Sequence, residues 1–168
     1  VRPRPRPGRR LIAAALGLPL VACAAAPPPN RLEAVTPDGR LVGAVTVPRG
    51  SGWCLDWNHS VTGDPVADCY LNDGGRMVLS HAFQPDFAAG LGHFPGRGVF
   101  RPGRGDGYLI DAIDEPVPGN AYRLRVGAPA VDHRIITDDG QRLPLSARVA
   151  GQPVILRLVP APSSQDLP

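Results

Sequence analysis

A chain of 168 residues with 18 basic and 15 acidic side chains, 43% hydrophobic and 5% aromatic, with 20 Gly and 21 Pro, has room for one ordinary domain plus extended flanks. Every basic residue is arginine and five of them fall in the first ten positions; without residues 1 to 22, 13 Arg face 15 acids, a net charge of −2. The basic balance thus belongs to the first segment, and the rest of the chain advertises no nucleic-acid surface.

Arg2, Arg4, Arg6, Arg9 and Arg10 precede an apolar run from Leu11 to Val21, too short to span a bilayer as a mature helix. A basic stretch followed by such a run marks an export signal. It ends in Leu20-Val21-Ala22-Cys23, which resembles the lipobox of bacterial lipoproteins, where the chain is cut before the cysteine, whose thiol and new amine are acylated. Residues 1 to 22 are therefore expected to be a signal peptide removed on the general secretory route, with Cys23 lipidated. An ordinary signal with a chance cysteine is the plainer alternative. The expected location is the extracytoplasmic face of the cell membrane, held there by lipid, since two or more acyl chains anchor firmly where one does not.

Residues 23 to 40 are expected to be a linker, with polyproline character in AAAPPPN. Residues 41 to 159 form the expected folded part, and residues 160 to 168 a tail too poor in apolar surface to pack. The folded part reads in period two. Leu41 to Val47 is a β-branched run; Trp53, Leu55, Trp57, His59 and Val61 alternate with Cys54, Asp56, Asn58 and Ser60. Further strands are expected over 66–72, 76–83, 108–112, 122–126, 133–137, 143–149 and 154–159, separated by the turn signals TGDP, NDGG, TDDG and AGQP. DFAAGL, from Asp86 to Leu91, has the makings of a single helical turn. The fold class this predicts is all-β: one β-sandwich or small β-barrel of roughly eight to ten strands.

Cys54 and Cys69 flank the turn near Thr62-Gly63 almost symmetrically, so cross-strand pairing is feasible in an oxidising compartment. CxxC spacing is missing, which favours a structural disulfide over a redox pair.

The order of WNHSVTGDPV, an acid at Asp68, Tyr70, GGRMVLSHAFQPDFAAGLG, GDGYLI, DHRII and DGQRLPLSARVAGQPVILRL resembles the bacterial family called domain of unknown function 1850, over roughly Leu41 to Leu158. Two positions depart from its pattern: Val66 stands where an aromatic is common, and Ala88 where the loop has its first glycine. The resemblance implies a genomic neighbourhood, beside tripartite (TRAP) transporters of the TAXI type, which import small organic acids with extracytoplasmic binding proteins. It implies no activity.

His59 and Ser60 are adjacent, and neighbours on a strand point to opposite faces, so they do not form a nucleophile–base pair. His59, His81, His93 and His133 are dispersed and lack metal-site spacing. Two readings remain for the HSV motif. His59 and Ser60 pin the hairpin, with Asp68 orienting His59 and Ser60 bonding the turn backbone. Alternatively His59, Ser60, His133 and Arg134 converge on a small anion, with the Arg fork matching a carboxylate and Gly90 and Gly92 allowing close approach. The expected function is a non-catalytic, lipid-anchored accessory of a TAXI-type TRAP system, touching its solute-binding or membrane subunit. Direct carboxylate binding is the alternative, and a metal-binding protein or hydrolase the third. No cofactor, no metal and no nucleic-acid partner are expected.

Overall fold

The computed structural model describes residues 29–86, 94–103 and 107–162. In chain order the strands are β1 (Asn30–Val35), β2 (Leu41–Val47), β3 (Gly52–Asn58), β4 (Pro65–Asp73), β5 (Arg76–Gln84), β6 (Val99–Pro102), β7 (Tyr108–Asp111), β8 (Glu115–Pro116), β9 (Ala121–Arg125), β10 (Arg134–Thr137), β11 (Arg142–Pro144) and β12 (Pro153–Pro160). A 3-10 turn (Pro118–Asn120) precedes β9, and a one-turn helix α1 (Ser146–Val149) precedes β12. Among the described residues no helix is long and apolar enough to cross a membrane.

The strands make two antiparallel sheets. One has four strands in the order β2-β1-β12-β9; the other runs β11-β10-β3-β4-β5-β7-β6, with β8 also paired to β5. The chain is all-β, and neither sheet closes on itself. Alternation explains the arrangement. In the first sheet Leu32 faces Leu158 and Val45, and Ala34 faces Leu156; cross-strand partners share a face. In the second, Trp53, Leu55, Val66 and Ile135 turn inward. Leu32, Val47, Trp53, Tyr70, Met77, Ile110, Ile135 and Leu156 all belong to one hydrophobic cluster, so the two sheets share one core.

Three differences from the sequence reading have physical causes. The folded part starts before Leu41: residues 30–35, expected to be linker, form β1, whose alternating Leu32 and Ala34 are fully buried between β2 and β12. Residues 143–149 are not one strand, because Ser146 turns inward to accept from the His133 N–H at 2.9 Å and donate to the Gly127 carbonyl at 3.1 Å, drawing the chain into α1. β3 stops at Asn58, so His59 and Ser60 belong to the turn rather than to alternating strand faces. Residues 1–28, with Cys23, and residues 87–93, with most of DFAAGL, Gly90, Gly92 and His93, lie outside the described residues.

Candidate functional site

The hairpin between β3 and β4 is closed by backbone bonds from the His59 N–H to the Asp64 carbonyl at 2.7 Å and from the Gly63 N–H to the His59 carbonyl at 2.9 Å. Gly63 holds φ at 80°, a conformation that a side chain would strain. The His59 ring turns back into this loop, with Nδ1 3.2 Å from Thr62 Oγ1 and 3.4 Å from the Thr62 nitrogen. Thr62 Oγ1 in turn accepts from the Asp64 N–H at 3.4 Å. The side chains that bond the turn are thus His59 and Thr62, while Ser60 is exposed at its tip.

The disulfide lies on the same two strands. Cys54 and Cys69 are directly opposite in register and joined, on the face of the sheet away from the core residues Trp53 and Leu55.

His133 and Arg134, adjacent in sequence, serve different surroundings. His133 is buried, its ring 5.7 Å from that of Trp57. Its Nδ1 accepts from the Gly127 N–H at 2.8 Å and its carbonyl accepts from the Leu145 and Ser146 N–H groups. Burial lowers its pKa from the usual imidazole value, against a smaller upward pull from Asp132. Arg134 begins β10, between β11 and β3 rather than at a sheet edge. Its Nη1 donates to the Asp132 carbonyl and carboxylate, both at 3.0 Å, and its Nη2 lies 3.8 Å from the Asp56 carboxylate. Asp56 is directly across from Arg134 in register; burial raises its pKa, while Arg134 and then Arg142 pull it down. The four residues expected to converge on an anion are therefore a turn pair, a core imidazole and a guanidinium held between two carboxylates.

A different polar group sits on the core side. Asp68 does not reach back to His59; it stands opposite Leu55 on one side and Ala82 on the other, both buried. Gln84, fully buried two residues further along β5, donates its Nε2 to Asp68 Oδ1 at 3.4 Å. Burial pushes the Asp68 carboxyl up to about 6, against a smaller pull from Arg97. Arg97 is gripped by Glu115 through two bonds of 2.7 and 2.8 Å. Next to Asp68 along β4, Tyr70 stacks on Trp53 at 5.6 Å and on Tyr122 at 5.1 Å, bridging the sheets. Two buried atoms here, Trp53 Nε1 and Gln84 Oε1, have no hydrogen-bond partner, while the buried Tyr122 hydroxyl meets that of Tyr70. Buried polar atoms are normally paired, and unpaired ones mark a place for water or a ligand. The sequence signal was the single acid, Asp68, on the same alternation as Val66 and Tyr70; Gln84 gave none.

No curated protein and no solved structure matches the chain. A family model described as domain of unknown function, DUF1850, matches residues 54–145, which hold the hairpin, the disulfide, Asp68, His133 and Arg134, and more than half of the chain: this protein belongs to the DUF1850 family.

Proposed function

We propose that this protein is a non-catalytic, lipid-anchored domain on the extracytoplasmic face of the cell membrane, an accessory to a TAXI-type TRAP uptake system. Membership of the family supports the transporter connection through the neighbourhood the family implies, and Leu20-Val21-Ala22-Cys23 supports the anchor. A disulfide suits the same compartment. The observation that carries the non-catalytic reading is that His59, His133 and Arg134, the residues expected to meet at one site, are each engaged separately within the fold. The test is substrate uptake by cells lacking this protein, restored with the native chain or with Cys23→Ala. Reduced uptake rescued only by the lipidated form supports the reading. Uptake unaffected by the loss overturns it.

A second reading, direct binding of a small molecule, is favoured by the buried, unpartnered Trp53 Nε1 and Gln84 Oε1. These offer an indole donor and an amide acceptor. Asp68, ionised above about pH 6, repels a carboxylate, so this site suits an uncharged or amine-bearing ligand better than the anion implied by Arg134. A thermal-shift panel of dicarboxylates, amino acids, polyols and amines tests it, since a specific ligand at 100 Kd adds ~2.7 kcal/mol. A response lost in Gln84→Leu supports this reading, and silence across the panel removes it.

A further inference from the structure

Cys54, Cys69 and His81 stand in one row across β3, β4 and β5, with Cys54 opposite Cys69 and Cys69 opposite His81. The two Sγ atoms and a nitrogen of the His81 ring all lie within 4.8 Å of one another. While the sulfurs are joined to each other the row is no metal site, because the thiolate is the ligating form of cysteine.

The imidazole is already prepared for such a role. Ser80 Oγ donates to the Cys69 carbonyl at 3.3 Å and lies 2.8 Å from His81 Nδ1. A hydroxyl has one proton; with that proton on the carbonyl, its oxygen accepts from Nδ1–H and leaves Nε2 with the free lone pair. Ligating histidines are oriented in this way by a second hydrogen bond.

We propose that reduction of the Cys54–Cys69 disulfide turns this row into a Cys2His site for a thiophilic divalent cation of the Zn2+ class. A dithiol gives two electrons and two protons to the disulfide, itself becoming a disulfide, and two thiols result. The cation displaces those two protons to form two metal–thiolate bonds, His81 supplies the third ligand, and water takes the fourth position. Tetrahedral bonds of ~2.3 Å to sulfur and ~2.0 Å to nitrogen set ligand atoms roughly 3.5–3.8 Å apart, which a row spanning 4.8 Å reaches by side-chain rotation. The oxidised chain is then the metal-free state and the reduced chain the metal-binding state of the same three residues. The inference stands apart from the transporter reading, since it uses only the outer face of one sheet.

The full chain, oxidised or reduced with a phosphine under anaerobic conditions, is titrated with Co2+ and then with Zn2+. The expected result is one equivalent of Co2+ bound by the reduced protein only, with a thiolate-to-cobalt charge-transfer band that Zn2+ abolishes. Ser80→Ala, which leaves all three ligands in place, weakens binding by about tenfold, and His81→Ala weakens it further. Circular dichroism follows folding in the same samples. The proposal is overturned if the reduced chain shows no such band, if the oxidised chain binds equally, if His81→Ala binds like the native chain, or if reduction unfolds the chain and the metal does not restore it.

Discussion

The Asn72 side chain of β4 donates its Nδ2 to the Val47 carbonyl of β2 at 2.8 Å, so a single buried amide ties one sheet to the other. The same Nδ2 reaches Asn30 Oδ1 at 3.2 Å, and Asn72 Oδ1 accepts from the Gly75 N–H at 2.8 Å. Asn72 is fully buried, where a half-broken polar network costs more than an apolar one.

Asn72→Leu leaves the Val47 carbonyl, Asn30 and the Gly75 N–H short of a partner. The expected loss is about 3 kcal/mol, since each buried group left unsatisfied costs ~1–3 kcal/mol. Urea denaturation measures it. Asn58→Ala, which removes an exposed bond to the Ala130 carbonyl, is the control and changes stability by less than ~1 kcal/mol.

Replacing both cysteines of the disulfide by alanine opens a loop with a sequence separation of 15. The chain-entropy account gives a loss of ~3 kcal/mol, and the register of β3 with β4 should hold. Thermal unfolding of the oxidised native chain against Cys54→Ala/Cys69→Ala reads both.

Much of the hairpin is legible in the sequence. The alternation of Trp53, Leu55 and Trp57 predicts the inward face of β3, and the symmetric cysteines predict the bond across it, because hairpin contacts are local. The strand β1 is not legible: its six residues pair with β12 at the other end of the chain, and polyproline before it and TPDG after it read as linker. The placement of Arg134 between Asp56 and Asp132 depends on the pairing of β10 with β3, which no nearby residue encodes. Asp68 is visible as an acid, but its partner Gln84 comes from the next strand.

Asp68 gives stability a pH dependence with a definite sign. Folded, its carboxyl titrates at about 6; unfolded, near 3.8. Between those values the folded chain holds the extra proton, so stability falls as pH rises through this window and stays lower above it. Asp68→Asn removes that slope and stabilises the chain at pH 7 to 8 by ~2 kcal/mol. His133 acts oppositely. Its folded pKa is lowered from 6.5, so its contribution is present above that value and is lost as pH falls below it. Denaturation midpoints across pH 4 to 8 for the native chain, Asp68→Asn and His133→Gln separate the two.

Arg134→Ala removes the guanidinium between Asp56 and Asp132 and leaves Arg142 as the cation that acts on both. The expected cost is ~1 kcal/mol at low salt, smaller at high salt, with the Asp56 carboxyl rising further. If Arg134 instead held a carboxylate ligand, its loss would abolish a dicarboxylate-induced thermal shift, so the same variant in that assay distinguishes the two roles.

The most direct test of a lipid-anchored transporter accessory is cross-linking this protein in intact cells and purifying it from detergent-solubilised membranes, with components identified by mass spectrometry. The expected result is an N-terminal peptide starting at acylated Cys23 and a TRAP solute-binding or membrane subunit enriched with the native chain and lost with Cys23→Ala. An unacylated chain that enriches no transporter component would contradict it.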